Sequence, residues 1–358
     1  MKITVVASAC DLSEVAEYCE LAARGHRVHV FYDPSWQENG AYEKSDVTTT
    51  PLPVSHRLDL RAAKALRAHL LKQTPELIYA PYNKTLAVSL MATRGMRVKV
   101  VGYRGTLGHL NHWDPASLMT YFHPRLDGIV CNCKAVQSYM RDKQAKAQLV
   151  TAYKGFDVDW YARGQPGNLA DFGFPGDAFV VGFTGNVRPV KGIDILLKAL
   201  AQLPEDSRIQ LLLVGEIRDR RVRRMLNDPA FSSRVVSTGF RRDASRLTGA
   251  CDAFVMPSVE REGVCRAVVE AMSQCVPPIV SDVGGMTELV QDGESGLVVP
   301  PSDYDALANA LQRMERDVEN CKQMGIAAQQ CIRDHFSVAR ATDTMEEFFD
   351  RVARGEKR

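Results

Sequence analysis

Short apolar runs alternate with amphipathic runs along the whole chain. The amphipathic stretches have apolar residues at helical spacing; the clearest runs from Leu12 to Arg24 and stops at Gly25. Alternation of buried strands with helices is typical of parallel sheets covered by helices on both faces. The apolar runs have the length of buried β-strands and lie at 2–8, 27–32, 76–80, 98–103, 128–133 and 149–153, and then at 179–183, 209–215, 253–258, 277–281 and 296–299.

The runs form two series, which predicts two doubly wound, Rossmann-like domains. We place the N-terminal domain at 1–165 and the second at 166–335, with a C-terminal helix in 336–358 that packs back toward the N-terminal domain. Ligands of parallel sheets bind beyond the carboxyl ends of the strands, so we expect the active site in the cleft between the domains. The boundary follows from the glycines and prolines that crowd into 160–178, namely Gly164, Pro166, Gly167, Gly173, Pro175 and Gly176.

The composition of the 358 residues fits a globular protein, with 45% hydrophobic and 25% charged residues. No stretch approaches the roughly 18 apolar residues of a membrane span, and no signal peptide is recognisable at the N-terminus. We therefore expect a cytoplasmic protein, either free or peripheral on the inner face of the cytoplasmic membrane. Residues 1–150 contain 19 Lys+Arg against 13 Asp+Glu, an excess that favours an anionic partner such as a membrane surface or a phosphorylated acceptor.

Two common phosphate-binding motifs are missing from the sequence. Neither domain's first strand is followed by G-x-G-x-x-G, which disfavours a conventional nicotinamide or flavin enzyme. The chain also lacks G-x-x-x-x-G-K-[ST], which excludes a P-loop NTPase. Two parallel sheets without these motifs need another device to bind phosphate.

The loop from Gly185 to Gly192 is a candidate for that device. Its two glycines allow the backbone to turn tightly beside a ligand, while Arg188 and Lys191 place two cations next to the start of a helix. This combination can bind a diphosphate without a metal ion. The alternative is an ordinary solvated turn between a strand and a helix.

A second candidate follows the strand 252–258. Glu262 precedes a helix, and Glu270 lies within it on the apolar stretch from Ala267 to Met272. A carboxylate among apolar neighbours needs a partner. Either a ribose diol donates to both of its oxygens, or Arg266 pairs with it from one turn back.

With the glycine turn from Asp282 to Glu288, these segments resemble the retaining glycosyltransferases of family 4. That family has the GT-B fold, in which two Rossmann-like doubly wound parallel-sheet domains face each other across a cleft. The resemblance covers about 179–300 closely and the first half loosely. Its marks are a G-x5-K-G loop, a D-x-F/V-x-x-P-S strand, an E-x7-E helix and a D-x-G-G-x-x-E turn, found here at Gly185 to Gly192, Asp252 to Ser258, Glu262 with Glu270, and Asp282 to Glu288.

The resemblance implies roles for the matching residues. Glu270 binds the donor ribose, Glu262 contacts the transferring sugar, and Lys191 neutralises the leaving diphosphate. Asn186 stands where the family usually has arginine, so Arg188 is the candidate substitute. Backbone contacts are expected from Gly185 and Asn186 of the loop, from Gly263, Val264 and Cys265 at the helix start, and from Gly239, Phe240 and Arg241 beside the nucleobase.

The first half departs from the family pattern after its first strand. Residues 7–13 contain no glycine. Family members often have a histidine after the strand that ends here at Arg104, so we choose His109 to face the donor sugar, with His112 as the alternative. Asp157-Val158-Asp159 resembles a metal-binding motif of another glycosyltransferase fold, but in this context we interpret it as a connector.

The segment from His56 to Lys72 is predicted as a basic amphipathic helix. It either packs its leucines on the core and exposes its charges, or contacts anionic lipid or a polyanionic acceptor.

The sequence therefore predicts a retaining enzyme, with Glu262, Lys191, Arg188 and His109 as catalytic residues. We expect it to transfer a hexose-type sugar from a nucleotide diphospho-sugar to a hydroxyl acceptor, either a glycan, a lipid-linked saccharide or a small molecule, in polysaccharide or lipopolysaccharide biosynthesis. We expect no metal, no cofactor and no nucleic acid partner. The alternatives are a sugar-nucleotide epimerase or hydrolase on the same fold, and a non-catalytic two-lobed ligand-binding protein. The donor sugar, base, acceptor and oligomeric state are left open.

Overall fold

The computed structural model describes residues 1–36, 42–162 and 167–356. The chain forms two compact units, of which unit 1 contains Met1–Phe156 and Phe336–Arg358 and unit 2 contains Asp157–His335. The boundary predicted between residues 165 and 166 lies outside the described residues, together with Gly164 and Pro166 of the glycine- and proline-rich segment. The structural division comes at Asp157, so the Asp157–Asp159 segment opens unit 2.

Unit 1 is built on a seven-stranded parallel sheet. Its strands are β1 (Lys2–Val6), β2 (Arg27–Tyr32), β3 (Thr48–Pro51), β4 (Leu77–Ala80), β5 (Lys99–Arg104), β6 (Gly128–Cys131) and β7 (Gln148–Thr151). They lie in the order β3-β2-β1-β4-β5-β6-β7, so the strand order reverses between β1 and β4. The helices between them are α1 (Leu12–Ala23), α2 (Leu60–Gln73), α3 (Asn83–Ala92), α4 (Pro115–Leu118) and α5 (Lys134–Asp142).

Unit 2 repeats this architecture with six parallel strands. They are β8 (Phe179–Thr184), β9 (Ile209–Val214), β10 (Val235–Gly239), β11 (Ala253–Met256), β12 (Pro278–Ser281) and β13 (Leu297–Val299), in the order β10-β9-β8-β11-β12-β13. The reversal here lies between β8 and β11. The helices of unit 2 are α6 (Asp159–Ala162), α7 (Ile193–Ala201), α8 (Arg220–Met225), α9 (Pro229–Ser232), α10 (Ala244–Thr248), α11 (Arg266–Ser273), α12 (Met286–Leu289), α13 (Tyr304–Arg316) and α14 (Val318–His335).

These two doubly wound sheets confirm the predicted fold class. In unit 1 both faces of the sheet are buried, as near-continuous apolar strands require. Val5 belongs to one hydrophobic cluster and its neighbour Val6 to another, because successive side chains of a strand point to opposite faces. Leu66 and Leu70 of α2 cover the Val6 face.

The last helix, α15 (Val338–Arg354), belongs to unit 1. Ser337 caps its first turn, and Phe348 and Phe349 lie fully buried in the cluster that contains Val5. Gly128 on β6 makes room for this helix, since a Cβ there would lie 2.8 Å from the Phe348 ring. The chain therefore returns to complete the core of unit 1 after it has formed unit 2.

Two strands and one helix boundary differ from the sequence prediction. We did not predict β3 or β10 as strands, because β3 is Thr-Thr-Thr-Pro and β10 has only two apolar residues, Val235 and Val236, before Ser237-Thr238-Gly239. The helix predicted from His56 begins only at Leu60, since Asp59 caps it by accepting a hydrogen bond from the Ala62 amide at 3.0 Å. Leu66 in this helix is buried, whereas Leu60 is 71% exposed.

Within the part of the chain that the structure describes, no helix combines the length and the apolar character that a bilayer span needs.

A cluster of ionisable side chains lies at the start of α1, where the family pattern would place glycines. Asp11 and Glu14 form a capping box, each accepting a hydrogen bond from the other's amide. Lys154 Nζ donates to Asp11 Oδ2 at 2.7 Å and to Glu14 Oε1 at 3.1 Å. One turn further, the buried Glu17 accepts a hydrogen bond from the Gly155 amide at 2.7 Å. The cluster thus attaches the segment after β7 to the first helix.

Glu17 predicts a pH-dependent stability for the protein. Burial raises the pKa of its carboxyl from 4.5 to about 8, against the opposing effects of the Gly155 hydrogen bond and Lys154. Because the folded state holds this proton more tightly than the unfolded state, the free energy of unfolding falls as the pH rises from about 4.5 to about 8. The slope from this group is about 1.4 kcal/mol per pH unit at most.

We expect Glu17→Gln, which keeps an acceptor for Gly155, to gain stability over the wild type as the pH rises from 5 to 8. Urea denaturation followed by circular dichroism measures this difference, with Glu20→Gln in the same helix as the control. If the free energies of unfolding of the wild type and Glu17→Gln change with pH in parallel, Glu17 is not a buried neutral carboxyl.

Candidate active site

Three strands of unit 2 end at glycines that hold their loops close together. The Gly185 amide donates to the Val214 carbonyl at 2.9 Å, and the Gly215 amide donates to the Gly239 carbonyl at 2.9 Å. A Cβ on Gly215, whose φ is +141°, would lie 2.0 Å from the Gly185 carbonyl oxygen. Only glycine allows this approach, so the loops after β8, β9 and β10 meet at the carboxyl edge of the sheet.

The loop predicted to bind diphosphate leads from β8 into α7. Residues Pro189–Lys191 form a 3₁₀ turn, and Gly192 then adopts a left-handed conformation with φ of +66°. A Cβ on Gly192 would lie 2.0 Å from the Pro257 carbonyl oxygen. The Val259 amide also donates to the Val190 carbonyl at 2.9 Å. The loop is therefore packed directly against the segment that follows β11.

This packing brings Lys191 and Glu262 together. Lys191 Nζ forms a short ion pair with Glu262 Oε1 and lies 3.8 Å from the Met256 sulfur. Ser258 Oγ donates to the same Glu262 oxygen at 3.0 Å. Only 11% of the Lys191 side chain and 15% of the Glu262 side chain are exposed. The resemblance implied separate roles for these two residues, whereas in the structure their side chains form one ion pair.

Ser258 is a member of this unit to which the sequence analysis assigned no role. It is fully buried and lies two residues after the end of β11, at the edge of the sheet where ligands of parallel sheets bind. This position at the end of a strand was the feature of the sequence that could have marked Ser258 as a site residue. Its hydroxyl fixes the Glu262 carboxylate from the side of the strand.

The segment that carries Glu262 is held by a second glycine turn. The Gly285 amide donates to the Glu262 carbonyl at 3.3 Å, which connects the Asp282–Glu288 turn to this site. Three residues later, α11 begins with Cys265 at its N-cap position and no side-chain cap. Gly263, Val264 and Cys265 thus lead into a helix start without a side-chain cap, and free amides at such a start favour an anion or a sugar oxygen.

Glu270 lies on α11 beside the arginine that the sequence offered as its alternative partner. Arg266 Nε donates to Glu270 Oε1 at 2.8 Å, and 13% of the Glu270 side chain is exposed. Burial raises the pKa of the Glu270 carboxyl, and the Arg266 charge opposes this shift. The carboxylate therefore has a protein partner, and its contact with a ribose stays a prediction.

The remaining donor-side residues lie on the surface of unit 2. Asn186 and Arg188 are both exposed in the loop after β8. Gly239 ends β10, Phe240 is 72% exposed, and Arg241 pairs with Asp243 at 2.8 Å. Their proposed contacts with diphosphate and nucleobase stay predictions.

The two candidate histidines of unit 1 have different surroundings. His112 Nε2 lies 2.8 Å from the Lys143 carbonyl, and its ring stacks on Phe122 with 4.1 Å between centroids. His109 is exposed and has φ of +61°, an uncommon conformation for a residue with a side chain. His112 is thus held by unit 1 itself, and the role of either ring toward a donor sugar stays a prediction.

Two protein-family models match the chain. The model described as Glycosyl transferases group 1 matches residues 166–331, and the model described as Glycosyltransferase Family 4 matches residues 18–171. Both domains thus match glycosyltransferase models.

Among curated proteins, the chain is 28% identical over 217 residues to the lipopolysaccharide core biosynthesis glycosyltransferase LpsE of Rhizobium meliloti, a match that covers 60% of this chain and 61% of LpsE. It is 31% identical over 169 residues to the D-inositol 3-phosphate glycosyltransferase of Stackebrandtia nassauensis, covering 44% of this chain and 38% of that protein. The chain therefore spans about three fifths or less of the length of these relatives.

Among solved structures, the chain is similar to Anabaena Alr3699/HepE in complex with UDP. The TM-score is 0.79 at 22% sequence identity, and the match covers 98% of this chain and 100% of the other. This likeness shows the fold.

Gly192 gives a direct test of the loop packing. Gly192→Ala requires a left-handed alanine and also forces its Cβ toward the Pro257 carbonyl. Gly173 is the matched control, because it has φ of +71° and no atom within 4 Å of a built Cβ. We expect Gly173→Ala to cost about 1–2 kcal/mol from its backbone conformation alone, and Gly192→Ala to cost clearly more. Urea denaturation of both variants measures the difference, and equal losses would contradict the close contact.

Proposed function

Because the chain belongs to the glycosyltransferases of family 4 and has the GT-B fold, we propose that it transfers a hexose-type sugar from a nucleotide diphospho-sugar to a hydroxyl acceptor. The transfer retains the anomeric configuration and needs no metal ion. The observation that carries this proposal is the Lys191–Glu262 pair in the loops after β8 and β11. These loops flank the point where the strand order of unit 2 reverses, which is where doubly wound sheets bind nucleotides.

Lys191 supports the departure of the diphosphate. In the reaction, the bond between the anomeric carbon and the diphosphate oxygen breaks, and a new bond forms to the acceptor oxygen. Negative charge grows on the leaving diphosphate, where the Lys191 ammonium, the Arg188 guanidinium and the helix-start amides stabilise it. The proton of the acceptor hydroxyl passes to the departing phosphate.

Glu262 positions Lys191 to stabilise the leaving diphosphate. Its carboxylate shares one oxygen between Lys191 and Ser258, so the ammonium is oriented before the donor arrives. The carboxylate has remaining lone pairs that accept hydrogen bonds from hydroxyls of the transferring sugar. Gly263, Val264 and Cys265 offer backbone contacts to the same sugar.

The comparisons indicate which donor and acceptor to test first. The structure of Anabaena Alr3699/HepE contains UDP, so UDP comes before GDP and ADP in a calorimetric titration. The names of the curated relatives point to lipopolysaccharide core saccharides and inositol 3-phosphate as first acceptor classes.

Replacement of Lys191 tests the proposed charge stabilisation. We expect Lys191→Met to lower kcat by about 10²–10³-fold, the usual effect of losing one group that stabilises transition-state charge. Lys198→Met in α7 is the matched control and should keep wild-type turnover, because its cation lies over the Tyr304 ring. Nucleotide release from UDP-sugars, measured with and without EDTA, should be insensitive to the chelator.

Undiminished turnover in Lys191→Met would remove the assigned role. Product analysis by NMR separates the alternatives: sugar release or epimerisation without an acceptor indicates a hydrolase or an epimerase, and an inverted anomer contradicts retention. If the protein binds a sugar but no nucleoside diphosphate, a non-catalytic binding protein is the better description.

Glu270 and Arg266 allow a test of ribose binding against simple ion pairing. If Glu270 binds the ribose, Glu270→Gln should weaken UDP binding at least tenfold, whereas Arg266→Met leaves the carboxylate available and should keep UDP affinity within about threefold. If the ion pair is the only role of Glu270, both variants should bind UDP alike and lose similar stability. Calorimetry with UDP and urea denaturation together distinguish these outcomes.

A further inference from the structure

Positive charge is concentrated at the carboxyl edge of the unit 2 sheet. The segments that follow β8, β9 and β10 contain ten Lys+Arg against three Asp+Glu; they are residues 185–192, 215–224 and 239–246. Unit 2 as a whole, residues 157–335, contains 20 Lys+Arg against 25 Asp+Glu. Half of its cations thus lie in these three segments, although the unit has a net negative charge. We call the three segments the basic edge.

The rest of the same edge has no such excess of cations. The segments that follow β11 and β12, residues 257–266 and 282–288, contain two Lys+Arg against four Asp+Glu. The strand order β10-β9-β8-β11-β12-β13 places the three basic segments side by side. The positive charge therefore forms one continuous region, and an anion that approaches the carboxyl edge is drawn toward the side of β8, β9 and β10.

Within the basic edge, α8 contributes three cations that no acid neutralises. Arg220, Arg223 and Arg224 are exposed, whereas Val222 of the same helix is buried. Among the described residues none of the three arginines pairs with a carboxylate: Arg223 donates to the Ile217 carbonyl at 2.6 Å and Arg224 to the Arg220 carbonyl at 3.4 Å. Like charges at this helical spacing repel each other, so the stability of α8 gives no reason for the cluster.

The arginines on either side of the cluster are neutralised. Arg218 Nη2 lies 2.7 Å from Glu216 Oε2, and Arg221 Nη1 lies 2.9 Å from Asp194 Oδ2. These pairs carry little net charge. The three arginines of the cluster, by contrast, keep their full charge at the surface.

The segment that leads into α8 is bound directly to the loop that carries Lys191. The Val187 amide donates to the Glu216 carbonyl at 2.9 Å, and the Val187 carbonyl accepts from the amides of Arg218 and Asp219 at 2.9 and 3.0 Å. Asp219 is also the N-cap residue of α8. Because Val187 lies four residues before Lys191, the arginine cluster begins on a segment that is fixed to the donor loop.

We propose that Arg220, Arg223 and Arg224 steer the anionic donor toward the Lys191 loop and raise its association rate, without contacting the donor once it is bound. Their charge acts across the Debye length, about 10 Å at 0.1 M salt, so no direct contact is needed. Charges of this kind change the association rate constant and its salt dependence, and leave dissociation of the bound ligand unchanged. The inference rests on the proposed use of a nucleotide diphospho-sugar.

The association and dissociation rate constants of UDP test the steering. Calorimetry gives Kd, the line shapes of the phosphorus NMR signals of UDP give koff, and the ratio of koff to Kd gives kon. In Arg220→Gln/Arg223→Gln/Arg224→Gln we expect kon to fall about three- to tenfold in about 0.01 M salt, with koff unchanged. In about 1 M salt, where the Debye length is about 3 Å, the wild type and the variant should have the same kon.

A matched control removes the same charge from the opposite edge of the same sheet. It replaces three exposed cations of α13 and α14, in the variant Arg313→Gln/Arg316→Gln/Lys322→Gln. Neighbours of these residues contact the segments before β9 and β11: Glu315 accepts from the Ser207 hydroxyl at 3.0 Å, and Cys321 Sγ lies 3.6 Å from the Asp252 carbonyl oxygen. We expect kon of this variant to stay within about twofold of the wild type. Equal losses of kon in both triple variants would indicate an effect of net charge alone and overturn the proposal.

The remaining outcomes separate the steering from the proposed function. If the wild type binds UDP and the α8 variant keeps its kon at low salt, the steering is wrong and the donor site stands. A higher koff with unchanged kon means that the arginines contact the bound nucleotide, which also overturns the steering. If the wild type binds none of UDP, GDP and ADP, both proposals fail; if it binds GDP or ADP instead of UDP, the same measurements use that nucleotide. Circular dichroism checks folding, and Arg220→Gln/Arg224→Gln gives the same test if the triple variant does not fold.

Discussion

In unit 2 the backbone at Gly192 approaches the carbonyl oxygen of Pro257 so closely that no side chain fits between them. Because parallel strands end at one edge, the loops after β8 and β11 are neighbours, and the missing Cβ lets them touch. The residue before this glycine is Lys191, so the contact also sets where its ammonium lies. Glu262 and Ser258 then fix the ammonium, which leaves the cation partly buried and already oriented. The charge stabilisation proposed for this edge of the sheet depends on these contacts of Gly192 with Pro257 and of Lys191 with Glu262.

The parts of the fold that the sequence predicted are those in which burial imposes a pattern. Strands that are apolar on both faces give runs that stand out, whereas β3 and β10 carry mostly polar or small residues and do not. The Arg266–Glu270 pair was foreseeable, because residues four apart on a helix are neighbours. The Lys191–Glu262 pair was not, since a separation of 71 residues gives no information about side-chain distance. The role of Ser258 emerged only from the structure, because Ser258 and Glu262 lie in a loop, where a separation of four residues does not fix the distance between side chains.

The helix that follows the first strand begins differently in the two units. The first loop of unit 2 ends at Gly192, which starts α7 without a capping side chain. In unit 1 the corresponding helix start is occupied by Asp11 and Glu14, with Lys154 bound between them. The helix after the first strand therefore starts without a side-chain cap in unit 2 and with a capping box in unit 1.

The return of α15 to unit 1 makes unit 2 an insertion in the connectivity of the chain. Unit 2 is one continuous segment, while unit 1 is assembled from two pieces separated by 179 residues. During synthesis on the ribosome, residues 157–335 emerge as a complete set of strands and helices before the core of unit 1 receives Phe348 and Phe349. The core of unit 1 is therefore complete only once α15 has been translated, although most of unit 1 precedes unit 2 in the chain.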